Sequence, residues 1–126
     1  MIHHVSLEVS NLERSGGFYD ALLAPLGWRR LFSGTDAIGY GFLDDPLLVL
    51  TPGLPHPGTG HFCIAAAGIP AVRAAWEAGV ATGGGGEGPP GPRRGYEPSY
   101  FSAYLRDPDG YRIEVAVRAA ARARAA

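Results

Sequence analysis

Sulfur is almost absent from the chain, which has one cysteine, Cys63, and one methionine in 126 residues. A single thiol excludes an internal disulfide, so packing and hydrogen bonds must hold the fold. Charge is sparse as well: charged residues make up 18% of the chain and the net charge is −1 at pH 7. The basic residues are scattered apart from Arg93-Arg94 and the C-terminal tail, which leaves no electrostatic footprint for nucleic acid. No apolar run approaches the roughly 18 residues of a membrane span. The opening "MIHHVSLEV" alternates like a strand and lacks the apolar core of a signal peptide. The expectation is a cytoplasmic protein with no nucleic-acid or membrane partner.

What the chain has is apolar surface, glycine and proline. At 46% hydrophobic it can build one domain with a real core. Its glycines and prolines cluster in "TPGLPHPGTG", residues 51–60, and "TGGGGEGPPGPRRG", residues 82–95. The first reads as a linker between halves and the second as a long loop inside the second half. The tail "RAAARARAA" has no apolar stripe to dock it and reads as frayed.

The two halves follow one plan. Residues 2–10 alternate Val5, Leu7 and Val9 against His4, Ser6 and Glu8, as in a half-buried strand. Ser10-Asn11 then caps a helix over about 12–24, with Leu12, Ser15, Tyr19, Leu22 and Leu23 at helical spacing and Pro25 and Gly27 ending it. Three strands follow in "WRRLFS", "AIGYGFL" and "PLLVLT". The opening repeats 57 residues later, placing His4 on His61, Leu7 on Ile64 and Tyr19 on Trp76. In the second half "HFCIAAA" forms a strand and "IPAVRAAWEAG" a helix stopped by Gly79. "PLLVL" matches "YRIEV" at an offset of 65, so Val49 corresponds to Glu114. The pattern predicts two copies of one supersecondary unit, related by a pseudo-twofold axis, whose first and last strands pair around a shared cleft.

Strand alternation assigns faces. Val5, Leu7 and Val9, then Phe62, Ile64 and Ala66, then Ile113, Val115 and Val117 should cover the helices. That leaves His4, His61 and Glu114 on the opposite face. Two imidazoles and a carboxylate from three strands form a facial set for a divalent cation, with positions open to water or substrate.

At these residues the chain resembles the vicinal oxygen chelate superfamily: glyoxalase I, extradiol dioxygenases, fosfomycin-modifying enzymes and metal-free bleomycin-binding proteins. The matching stretches are "HHVSLEVSNLERSGGFYDALLAPLGW", "GHFCIAA" and "GPPGPRRGYEPSYFSAYLRDPDGYRIEV", most of the chain. The resemblance implies an α+β fold in which two βαβββ modules, about 1–53 and 58–118, form a U-shaped mixed sheet around a metal cleft in one domain. It places the metal ligands at His4, His61 and Glu114 and implies iron, manganese, nickel or zinc as the ion. It also implies a homodimer. The implied activity is a lyase, isomerase or dioxygenase reaction on a small substrate whose neighbouring oxygens chelate the ion. The alternative is metal-free binding of a small molecule, as in bleomycin resistance. The chain departs from glyoxalase I at Val49, where that enzyme has a further carboxylate, and at Tyr111, where an asparagine is common after the "DPDG" turn.

Several other residues bear on the site. Tyr100, Ser102 and Tyr104 alternate onto the face of Glu114. Either tyrosine could donate a hydrogen bond to a metal-bound oxygen or wall the cleft, and Ser102 could contact substrate. Arg94 and Tyr96, in the glycine-rich loop, could close over it. Glu8 shares the ligand face and is the available candidate base. His3 should point to the helix side, Cys63 reads as a small apolar filler, and "DPDG" reads as a hairpin turn. The glycines form no dinucleotide or phosphate-binding motif, because neither a Lys-Ser/Thr pair nor a helix follows them.

Overall fold

The computed structural model describes residues 1–93 and 100–117. The expected tail, 119–126, lies outside them. The first module runs β1 (Val5–Val9), α1 (Leu12–Leu23), a 3-10 turn (Ala24–Leu26), β2 (Arg29–Ser33), β3 (Ile38–Gly41) and β4 (Leu48–Pro52). The second runs β5 (His61–Ala66), α2 (Ile69–Ala81), β6 (Gly85–Gly86), β7 (Gly91–Pro92), β8 (Phe101–Arg106) and β9 (Arg112–Val117). The class is α+β, as expected. Among the described residues, the strands form two mixed sheets, one from each module.

Each sheet has the same plan. Strand order is β1-β4-β3-β2 in the first and β5-β9-β8-β6 in the second, with β7 also on β8. The first strand of each module pairs in parallel with that module's own last strand. Registers repeat too: Ser6 faces Val49 in the first sheet, and Cys63 faces Glu114 in the second. These are the offsets of 57 and 65 read from the sequence. The glycine-rich segment 82–95, expected to be loop, contributes β6 and β7. They pair with successive stretches of β8, so together they fill the place of β2 as one interrupted strand.

Local chemistry sets the helices. Asn11 caps α1, its Oδ1 accepting from the Arg14 amide at 2.9 Å. Gly27 closes the following turn at φ +84°, a left-handed position suited to glycine. In α2, Pro70 occupies the first turn, where its missing N–H costs nothing. Gly79 does not stop this helix, which continues to Ala81. The glycine is instead a contact point: a Cβ there would lie 2.6 Å from Leu105 Cδ1, 3.2 Å from Leu22 Cδ1 and 3.3 Å from Phe18 Cε1. Hydrogen in place of a side chain lets the two helices approach over a shared core.

That core joins Val9, Phe18, Leu22 and Leu50 of the first module to Val72, Leu105, Ile113 and Val115 of the second. Burying each such side chain contributes roughly 1.5–3 kcal/mol. The strand faces are as read from the alternation: Leu7, Val9, Ile64 and Ala66 are buried while Ser6, Glu8, Cys63 and Ala65 are exposed. Among the described residues, no helix is long and apolar enough to cross a membrane.

The "DPDG" turn does more than reverse the chain. Buried Asp107 accepts from the Tyr19 hydroxyl at 2.7 Å and from the amides of Asp109 and Tyr111, both at 2.9 Å. Asp109 accepts from the Ser10 hydroxyl and amide and pairs with Arg14 at 3.0 Å. The Tyr111 hydroxyl donates to the Glu8 carbonyl at 2.8 Å. The turn therefore ties the last hairpin to both β1 and α1. Burial raises the Asp107 carboxyl above its ordinary value, although the Tyr19 hydrogen bond and the two amides oppose that shift. The folded state thus holds this proton more tightly, and the associated stability is lost as pH rises through the folded pKa. Because the Tyr19 bond favours the charged carboxylate, Tyr19→Phe should cost about 1–3 kcal/mol at pH 7. It should cost less at pH 3; urea unfolding that gives the same loss at both values would refute a charge-assisted bond.

Candidate functional site

Parallel pairing of β5 with β9 and antiparallel pairing of β9 with β8 set the polar cluster. Glu114 faces Cys63 on one side and Tyr104 on the other. Its Oε1 lies 3.0 Å from His61 Nε2, and its Oε2 accepts from the Tyr100 hydroxyl at 2.6 Å. The carboxylate is almost enclosed, with its side chain 6% exposed, whereas the His61 side chain is 35% exposed. Histidine is therefore the member of the pair that meets solvent or ligand. Burial pushes the Glu114 carboxyl up, but hydrogen bonds from Tyr100, Tyr104, Ser102 and His61 outweigh it and hold the group below its ordinary range. The same charge acts back on its donor: burial, then the bond to Glu114, raises the Tyr100 phenol well above its usual value.

Tyr104 stands beside this pair. The His61 ring meets it edge-on at 5.3 Å between centroids, and Arg112 and Arg93 lie 4.3 and 5.5 Å from its centroid. Ser102 is fully buried, and its hydroxyl accepts from Arg93 Nε at 2.9 Å. Arg94 and Tyr96 lie outside the described residues. Glu8 turns toward the linker, where its Oε1 accepts from the Leu54 amide at 3.1 Å.

His4 lies across a cavity of about 490 Å³ that its side chain lines together with His61 and Cys63. The remaining wall is mostly apolar and includes Trp28, Leu47, Leu48 and Ile64. Trp28, just ahead of β2, is part of that wall. His3, expected on the helix side, also lines the cavity, with its Nδ1 2.9 Å from Nδ1 of His4. The alternation that separated the two histidines does not reach them, since β1 begins only at Val5. In metal-free protein Cys63 is held as the neutral thiol. Partial burial and then the Glu114 charge push its thiol up to about 12.

The His61–Glu114 contact at 3.0 Å is a hydrogen bond between two side chains of metal-ligating type. The third donor is not gathered: among the described residues, no three His, Cys, Asp or Glu side chains converge as a metal-holding group.

A family model described as the Glyoxalase/Bleomycin resistance protein/Dioxygenase superfamily matches residues 1–115. The chain belongs to that superfamily. Among solved structures, a glyoxalase/bleomycin resistance protein from Albidiferax ferrireducens T118 is 34% identical, with 91% of this chain and 96% of that one covered at a TM-score of 0.79. A glyoxalase-related enzyme from Fulvimarina pelagi is 22% identical over 94% of this chain and 88% of its own, at a TM-score of 0.74. A lactoylglutathione lyase from Agrobacterium tumefaciens is 20% identical over 93% and 92%, at a TM-score of 0.66. The last two likenesses speak to the fold alone. Among curated proteins, none matches the chain.

Two outcomes follow from the cluster in metal-free protein. Glu114, with its folded pKa depressed below the reference 4.5, adds stability above that value and loses it as pH falls through the folded pKa. Tyr100→Phe should raise the Glu114 carboxyl pKa in a carbon-detected NMR titration; an unchanged midpoint would show that the hydroxyl does not hold the charge. Cys63 should alkylate with iodoacetamide at pH 7.5 at least about tenfold more slowly than free cysteine, whose thiol ionises near 8.5. Equal rates would contradict the raised thiol.

Proposed function

We propose that this superfamily member is a divalent-metal-dependent enzyme, of the lyase, isomerase or dioxygenase type, acting on a small substrate with neighbouring oxygens. The carrying observation is that His61, which lines the cavity, has its Nε2 3.0 Å from Oε1 of the buried Glu114. In this reading those two side chains hold the ion and His4, on the same cavity, is the third ligand. Bound iron, manganese, nickel or zinc would supply Lewis-acid polarisation of the substrate oxygens, or redox chemistry in the case of iron.

The protein's own groups prepare that role. Tyr100 keeps Glu114 oriented and ionised by donating to the oxygen that does not face His61. Its raised pKa keeps the phenol protonated at neutral pH, so Tyr100 holds a proton at the site and does not act as a base. Tyr104 backs the His61 ring edge-on and limits its rotation. The apolar wall of Trp28, Leu47 and Leu48 excludes water from a bound ligand. The homodimer belongs to the same proposal.

A second reading, metal-free binding of a small molecule, is favoured by one feature. His61, Glu114 and Tyr100 already satisfy one another, and no third donor converges on them among the described residues. Calorimetric titration of metal-free protein with manganese, iron, nickel and zinc, under anaerobic conditions, separates the two. The metalloenzyme proposal expects one ion per chain, with uptake abolished in His61→Ala and Glu114→Gln and weakened in His4→Ala. No uptake by the wild type, or equal uptake by Glu114→Gln, would leave metal-free binding.

A further inference from the structure

We infer that Arg93, which stands on the Tyr104 ring behind the cavity-lining His61, recognises an anionic group, so that the ligand carries a carboxylate or phosphoryl group in addition to its neighbouring oxygens. The inference rests on the cleft being a small-molecule site, and it specifies the class of molecule. Arg93 follows β7, and its amide donates to the Tyr100 carbonyl at 2.9 Å, which fixes its backbone beside β8. Its side chain crosses that strand. Nε donates to the Ser102 hydroxyl at 2.9 Å and Nη2 to the Ser102 carbonyl at 3.0 Å. These two bonds set the plane of the guanidinium, whose carbon lies 5.5 Å from the centroid of Tyr104. The His61 ring meets that same tyrosine, and Glu114 is its partner across the strands. A fixed cation therefore stands on the ring that backs the His61–Glu114 pair.

Charge distinguishes Arg93 from its neighbours. Arg112 and Arg106 share Glu87, at 2.6 and 2.9 Å. Arg93 pairs with no carboxylate among the described residues, and its only hydrogen-bond acceptors there are the two Ser102 oxygens. A guanidinium has five N–H donors in a fixed fork, so this geometry leaves the Nη1 end to bind an anion. Partial burial of a cation with no counter-charge among the described residues is unfavourable, and an anionic ligand relieves that cost. A role in fixing β8 alone would be served by a neutral donor to Ser102. Arg112 stacks on the same ring but is paired with Glu87, so among the described residues Arg93 is the cation there left to meet a ligand of opposite sign.

The test uses the full chain, with and without a bound divalent ion, and two probe pairs followed by amide NMR shifts. Catechol against 3,4-dihydroxybenzoate reads a carboxylate; glycerol against glycerol 3-phosphate reads a phosphoryl group. The wild type should bind at least one anionic probe at least about tenfold more tightly than its neutral partner, the scale of a charged hydrogen bond. The pair with the larger preference names the group. Arg93→Gln should abolish the preference and Arg93→Lys should restore part of it. Arg73→Gln, which removes a guanidinium stacked on Phe101 away from the cluster, should leave it intact. Neutral probes that bind in the cleft with no anionic preference, or a preference that survives Arg93→Gln in a folded variant, overturn the inference alone. No cleft shift with any of the four probes overturns the inference and the small-molecule reading together.

Discussion

The arrangement of the second sheet relative to the first helix depends on one buried carboxylate. Asp107 accepts from Tyr19 in α1 and from two amides of its own turn, so a charge-bearing group with 3% exposure is kept in the interior by three donors. Burial without them would cost several kcal/mol, on the order expected for an unpaired polar group. Because that turn joins β8 to β9, the strands carrying Tyr104 and Glu114 are placed by the same contact. Asp109 and Tyr111 extend the bracket to β1, beyond whose start lies His4.

The polar cluster shows how hydrogen bonding and burial compete. Glu114 is nearly enclosed, which alone would favour the neutral acid. Four side-chain donors reverse that preference, and the result is a fixed negative charge under a partly exposed imidazole. The thiol of Cys63 has the same charge as a neighbour without equivalent donors, and it moves the other way. The surroundings thus reinforce what residue type already favours at neutral pH, an ionised carboxylate and a protonated thiol.

Much of this was legible in the sequence. Alternation in 5–9 and 61–66 gave the strand faces, because one face is buried and the period is unambiguous. The offsets of 57 and 65 matched equivalent positions of the two modules, which the like registers of their sheets reflect, but an offset does not say which strands pair. What alternation could not give lay outside regular strands. His3 and His4 precede β1, so their orientations follow the chain end and not the pleat. The strand character of 85–86 and 91–92 was hidden because glycine and proline have no side-chain periodicity to read. Gly79 was misread as a stop because a helix terminus and a close helix contact both select glycine, and only packing against Phe18, Leu22 and Leu105 tells them apart. The Tyr19–Asp107 bond spans 88 residues and leaves no local signal.

The repeated register has one further consequence. Where the second sheet sets Cys63 against Glu114, the first sets Ser6 against Val49. A backbone with two like halves thus carries its acidic anchor in only one of them. A molecule entering a cleft with matching chemistry on both walls could lie head-first or tail-first with equal energy. Here the aliphatic side chain at position 49 answers the carboxylate at 114, so the twofold likeness of the backbone stops short of its chemistry.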